Sequence, residues 1–165
     1  MLDWRIIPKF ADKFKKIMRL NLPECDINIK KTPQGLAVYD ILRKKFVALT
    51  PEEWVRQHFV HFLIGTKHFP MERMANEMSL VQNGIKRRCD TVVADINGNP
   101  QVIVEYKAPT VEITQAVFDQ IVRYNMVLHA RYLIVSNGEK HYCCYIDYEH
   151  NTYRFLPDIP VYTDL

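Results

Sequence analysis

Arg88-Cys89-Asp90-Thr91-Val92-Val93-Ala94-Asp95-Ile96-Asn97-Gly98-Asn99-Pro100-Gln101-Val102-Ile103-Val104-Glu105-Tyr106-Lys107 is the stretch that decides the fold. Two runs rich in β-branched residues flank Asn97-Gly98-Asn99-Pro100, a turn sequence, so it predicts a hairpin with strands over 88–96 and 101–107. Side chains alternate along a strand. Ile103, Glu105 and Lys107 therefore share one face, and Val102, Val104 and Tyr106 share the other. An otherwise apolar strand thus ends with an acid and an amine side by side, which is costly to bury unless they are paired or hold an ion. Asp90 starts the neighbouring strand fifteen positions earlier, so folding the hairpin at 97–100 brings Asp90, Glu105 and Lys107 to the same end.

Outward from the hairpin, 74–81 reads as a further strand closed by the turn Gln82-Asn83-Gly84, which completes a meander. Ahead of it, Thr50-Pro51-Glu52-Glu53 is a helix start. Thr50 is the N-cap, Pro51 fits the first helical position, and Glu53 completes a capping box. The helix should run to about Gly65 with Val55, Phe59, Phe62 and Leu63 on its apolar stripe. After the hairpin, 113–129 reads as a helix, 131–136 as a continuous and hence buried strand, and 140–146 as a fifth strand. Helix, three-strand meander, helix, strand, strand is an α/β (α+β) order with a mixed central sheet flanked by helices.

Three segments are expected: an N-terminal extension with a small hairpin over 1–49, a core over 50–150, and an irregular tail over 151–165 carrying Pro157 and Pro160. The small hairpin uses 27–29 and 36–39 around Thr32-Pro33-Gln34-Gly35. Residues 1–18 read either as a short appended helix interrupted by Pro8 or as an extension with no fixed order.

At 165 residues, 48% hydrophobic and 25% charged, the chain suits one globular domain. It has no apolar run long enough for a membrane helix and no secretory signal, and the four cysteines form no CxxC pair, so a cytoplasmic protein with reduced thiols is expected. His58, His61 and His68 lack the spacing and third ligand of a zinc site. The net charge of +3 permits nucleic-acid binding without demanding it, and Lys86-Arg87-Arg88 concentrates positive charge beside Asp90, where a phosphate backbone could pass.

Two converging carboxylates make a hard oxygen site suited to Mg²⁺ or Mn²⁺. An adjacent ammonium can position a water and offset transition-state charge. That set matches metal-assisted phosphodiester hydrolysis, and the lysine two residues after the acid argues against a glycosidase. Alone, Glu105 and Lys107 would read as a surface ion pair on an edge strand, Asp90 as a strand-end cap, and Gln120 and Tyr124 as a solvated and a core residue.

Arg88-Cys89-Asp90 followed by Val104-Glu105-Tyr106-Lys107-Ala108-Pro109 resembles the D…ExK motif of the PD-(D/E)xK nucleases, with Cys89 where proline often stands. The closer likeness is to the N-terminal nuclease domain of type I restriction enzyme R subunits. Thr50-Pro51-Glu52-Glu53 with Arg56-Gln57 resembles that family's first helix. Gln120-Ile121-Val122-Arg123-Tyr124 is similar to its QxxxY motif, and Val135-Ser136-Asn137-Gly138 to the strand and turn that follow. The resemblance covers roughly 50–146. It implies a restriction-endonuclease-like core that cleaves DNA. Asp90, Glu105 and Lys107 would be catalytic, Asp90 and Glu105 would hold the metal, and a first-helix acid would complete the metal site. Gln120 and Tyr124 would line the site and contact nucleic acid or order the lysine, and the charge run, apart from the resemblance, adds Arg87 and Arg88 as nucleic-acid contacts. Helical spacing favours Glu52 as the third acid over Glu53, because it puts Glu52 on the side of Val55, Phe59 and Phe62. No GxxxxGK[ST] phosphate loop is present, so ATP-driven translocation is not implied, and a separate helicase, translocase or restriction-modification subunit is the expected partner besides DNA. The other reading is a non-catalytic nucleic-acid- or partner-binding module that retains the fold.

Overall fold

The computed structural model describes residues 18–165. The two readings of the N-terminal extension concern residues that lie almost wholly outside that range.

The helix start at Thr50 forms as its sequence predicts. The Thr50 hydroxyl accepts the Glu53 N–H at 3.0 Å, Pro51 takes the first helical position, and α1 runs over Pro51–Gly65. The other half of the capping box does not form, because the Glu53 carboxylate is engaged by Arg43 and Gln57. α1 is buried round most of its circumference, with Trp54, Val55, Phe59, Val60 and Leu63 as its buried apolar residues.

A small antiparallel sheet precedes α1: β1 (Ile29–Thr32), β2 (Gly35–Asp40) and β3 (Lys45–Ala48). The sequence predicts only a two-stranded hairpin here. β3 has just four residues, and it is joined through Lys44 in a left-handed conformation that no glycine or asparagine announces.

The central sheet has six strands in sequential order: β4 (Met74–Gln82), β5 (Ile85–Ala94), β6 (Pro100–Tyr106), β7 (Tyr132–Ser136), β8 (His141–Asp147) and β9 (Thr152–Phe155). Every pair is antiparallel except β6 and β7. A parallel pair needs a crossover. Here α2 (Gln115–Asn125), capped by the Thr114 hydroxyl, supplies it together with the 3₁₀ turn Met126–Leu128. This is the mixed α/β core that the sequence predicts.

The expected irregular tail is not what forms. Thr152–Phe155 adds β9 to the sheet after a turn at Asn151, whose left-handed φ permits a tight reversal. Beyond it, Ile159 is buried and the Tyr162 hydroxyl donates to the Ala94 carbonyl at 3.1 Å. Four residues of weak alternation, Thr-Tyr-Arg-Phe, are too few to read as a strand without the partner that β8 provides.

Two apolar layers lie on the two faces of the sheet. Val102, Val104 and Tyr106 pack with α1, while Ile103, Leu133 and Val135 pack with Phe118, Ile121 and Val122 of α2. The small sheet is tied to the first layer by a buried polar chain. Asp40, fully buried, accepts the Leu42 and Arg43 N–H groups at 2.8 and 2.9 Å, the Arg43 guanidinium, and Asn76 Nδ2 at 2.9 Å. Asn76 accepts the Thr91 hydroxyl, which meets the Tyr106 hydroxyl at 2.9 Å. No helix among the described residues is long and apolar enough to cross a membrane.

Burial alone would raise the Asp40 pKa. The hydrogen bonds from the Arg43 backbone, Asn76 and the Arg43 side chain outweigh it and hold the carboxyl below its ordinary value. The carboxylate therefore contributes stability above the unfolded pKa of about 4, and this is lost as pH falls. Asp40→Ala should cost roughly 3–5 kcal/mol at neutral pH in urea unfolding, since it strands Arg43 and Asn76. Asp40→Asn should show a smaller acid-side loss of stability than the wild type between about pH 5 and 3.

Candidate active site

Backbone pairing between β5 and β6 stops at Thr91↔Val104. The next two positions are Asp90 and Glu105. Instead of continuing the ladder, β5 offers a side chain: Asp90 Oδ2 accepts the Tyr106 N–H at 2.8 Å. That bond fixes the carboxylate at the end of β6. One residue further, the Lys107 N–H donates to the Ser136 carbonyl at 2.9 Å, extending the parallel pairing with β7 and holding the lysine backbone beside the acids.

Glu105 lies on the Ile103 face, toward α2. Asn125, at the end of α2 and almost fully buried, reaches Glu105 Oε1 with Nδ2 at 3.4 Å and the Ile121 carbonyl at 2.9 Å. The second bond fixes which end of the amide is nitrogen, so Asn125 Oδ1 is left buried with no hydrogen-bond partner among the described residues. Burial first, and the Asp90 charge second, push the Glu105 carboxyl up to about 7, against the pull of Asn125 and Lys107. Two carboxylates at one rung, one of them reluctant to ionise, are a donor set that a hard divalent cation fits. The Cys89 thiol is pushed up to about 12, by burial and then by Glu105 and Asp90, so it is not a nucleophile at neutral pH.

The helix acid is a correction. Glu52 is exposed on α1, whereas Glu53 is buried, with Arg43 Nη2 at 3.0 Å and Gln57 Nε2 at 2.8 Å on Oε1 and Arg56 Nη1 at 3.2 Å from Oε2. Neither completes a three-acid cluster. α1 packs on the Tyr106 face and Glu105 points to the other, and among the described residues no three His, Cys, Asp or Glu side chains gather to hold an ion. Arg56 is what joins α1 to the site. Its buried guanidinium lies 2.6 Å from Glu77 Oε1 and 3.5 Å from Asp90 Oδ1, over the Tyr106 ring.

Glu77 and Arg56 are partners that sequence reading missed, as was Asn125. Glu77 faces Asp90 across β4 and β5 with a left-handed φ of 56°, a conformation that costs a non-glycine residue about 1–2 kcal/mol. The pairing register is the same on either side of it, Asn76↔Thr91 and Met78↔Cys89, but the pleat inverts. Asn76, Thr91 and Val93 face α1, whereas Leu80, Arg87 and Cys89 face α2. No glycine or proline marks the inversion. Asn125 gave a signal of a kind: it sits four residues after Ile121 on the core side of α2, where a polar residue needs a partner.

Of the expected lining pair, Gln120 is exposed on α2, and Tyr124 is exposed with Arg87 over its ring at 4.3 Å and Arg87 Nε on its carbonyl at 3.2 Å. Arg88 pairs with Glu77. The structure therefore sets Asp90 opposite Glu105 with the Lys107 backbone two residues beyond, pairs Arg87 with Tyr124, and leaves Glu52 and Gln120 exposed.

A raised carboxyl pKa means that the fold keeps its proton to a higher pH than the unfolded chain, so ionisation weakens the fold as pH rises toward 7 and beyond. Glu105→Gln, in chelator, should be more stable than the wild type by on the order of 2 kcal/mol near about pH 8. That advantage should vanish near about pH 4. An advantage independent of pH in denaturant titrations would contradict this account.

A model of the family described as Type I restriction enzyme R protein N terminus (HSDR_N) matches residues 51–160. Among solved structures, a fragment described as an HsdR subunit of a type I restriction enzyme from Vibrio vulnificus YJ016 is 24% identical with a TM-score of 0.33. The alignment covers 54% of this chain and 17% of that one, so the chain corresponds to a small part of that protein's length. No curated protein matches. The family match runs from the start of α1 through the meander, the crossover helix and β9, over two thirds of the sequence, and the chain belongs to the family of type I restriction enzyme R protein N termini.

Proposed function

We propose that this domain is a metal-dependent nuclease that hydrolyses DNA phosphodiester bonds. The observation that carries the reading is the meeting of Asp90 and Glu105 at one rung of β5 and β6, with Lys107 two residues beyond and its backbone held by Ser136. Asp90 and Glu105 would hold Mg²⁺ or Mn²⁺. Such an ion supplies Lewis-acid chemistry, neutralising the two carboxylates and polarising the phosphoryl oxygen. Lys107 presents an ammonium to the open end of the pair, where it orients the attacking water and stabilises charge developing on the phosphate. Asn125 orients Glu105, and the Tyr106 N–H orients Asp90, so both acids are held before substrate arrives. Arg87, Arg88 and Tyr124 bind the nucleic-acid backbone beside the acids, and Gln120 extends that surface. Work alongside a separate translocase or modification subunit of a restriction system is the partner reading, supported by the family's description as the N terminus of a type I restriction enzyme R protein.

A second reading, a module that binds without cutting, is favoured by two observations: the Arg56 guanidinium already neutralises part of the charge on Asp90, and among the described residues no third acid joins the pair.

Plasmid and single-stranded DNA cleavage with Mg²⁺ or Mn²⁺, set beside calorimetric titration with Mn²⁺, separates the two. Lys107→Ala should lower cleavage by at least about 10²-fold while the heat of metal binding persists, and Asp90→Ala should abolish both. A wild type that neither cuts nor takes up Mn²⁺ would establish the second reading instead.

A further inference from the structure

β4 and β5 remain paired for five rungs beyond the point where β6 stops, from Met78↔Cys89 to Gln82↔Ile85. At the usual rise this two-stranded arm extends about 15 Å past Asp90. Asn83 and Gly84 close it with both φ values positive, the tight turn that matches the twist of a hairpin. One face of the arm is anchored. Leu80 packs against the α2 layer and Arg87 lies over Tyr124. The other face carries Ser79, Val81, Lys86 and Arg88, all exposed, with Val81 at 65%.

Net positive charge sits on this arm and on residues 1–19, which hold six Lys and Arg against two Asp. Residues 78–89 hold three cations and no acid. Removing Lys86, Arg87 and Arg88 from the 22 Lys and Arg leaves 19, equal to the 19 Asp and Glu. Outside the arm the sequence is neutral overall. At its root, Glu77 ties Arg88 to Arg56 and so to the site. A ribbon of this width fits the major groove of a duplex, about 12 Å across. Exposed Val81, on the same face as Lys86 and Arg88, suits contact with sugars and thymine methyls, while the cations suit phosphates.

We propose that the β4–β5 arm grips duplex DNA by lying in a groove, with Lys86 and Arg88 on the phosphates, and so sets the scissile strand against Asp90. The choice of partner rests on the nuclease reading; the arm as a gripping surface stands on its own geometry and charge. Lys86 and Val81 are thereby given a role in binding.

The test is fluorescence anisotropy of a labelled duplex of about 30 base pairs, and of its single strand, with the whole chain in EDTA over a range of salt. Lys86→Ala, a change at an exposed position outside the core, should lower the slope of log K against log salt by about 1. Lys86→Ala with Arg88→Ala should lower it by about 2 and weaken duplex binding by roughly 10- to 100-fold. Val81→Ser should weaken duplex binding without altering the slope. Unchanged slopes, or equal losses for duplex and single strand, overturn the proposal. Asp90→Ala keeps the two readings apart: it should stop cleavage and leave the duplex slope intact. A wild type that never cuts but shows these slope changes would sink the nuclease and keep the arm.

Discussion

The hydrogen bond from the Tyr106 N–H to the Asp90 carboxylate is the constraint on which the site depends. In a regular ladder a backbone carbonyl of β5 would take that N–H, and position 90 would project from one face of the sheet. Using a side chain in its place ends the β5–β6 pairing, leaves the carboxylate at the margin of the sheet, and sets it at the same rung as Glu105. It also accompanies the inversion of the pleat at Glu77 and Asp90. Residues on the tip side of that rung face the opposite layer from those on the core side, which turns Arg87 toward Tyr124 and away from α1. One displaced hydrogen bond thereby accounts for the position of the acids and for the orientation of the arm beyond them.

Charges in the surrounding region are paired in a chain that runs from the small sheet to the arm: Asp40, Arg43, Glu53, Arg56, Glu77, Arg88. Removing any buried member leaves a neighbour uncompensated, which is far more costly than losing a surface pair. Asp90 touches this chain through Arg56, but Glu105 does not, because it lies on the other side of the sheet. The two acids consequently live in different electrostatic surroundings. Asp90 has a guanidinium and a backbone N–H, while Glu105 has a buried amide and a like charge. The raised Glu105 carboxyl follows from that difference. The tension at this rung is of the kind that functional sites store and the rest of a fold offsets.

Much of this was legible in the sequence. The Thr50-Pro51 start fixed where α1 begins, because a hydroxyl cap and a proline at the first position act within a few residues. Alternation over 102–107 put Glu105 and Lys107 on one face and Val102, Val104 and Tyr106 on the other, and the turn at 97–100 set Asp90 against them. These features depend on local geometry and on a period of two, which a chain carries without knowing its neighbours.

What tertiary structure decided is of another kind. Whether Glu52 or Glu53 faces inward turned on Arg43 and Gln57, of which Arg43 comes from the small sheet before the helix. β3 and β9 are too short to be read alone and exist because β2 and β8 offer them edges. The inversion at Glu77 has no glycine to announce it, and Asn125 becomes a site residue only because the crossover lays the end of α2 beside β6. The sequence by itself determined the order of elements and the facing of residues within each strand, since those follow from bonded geometry and short-range sterics. The meetings of Arg56 with Glu77 and Asp90, and of Asn125 with Glu105, were decided by packing, because groups so far apart in the chain are brought into contact only when the two apolar layers close on the sheet.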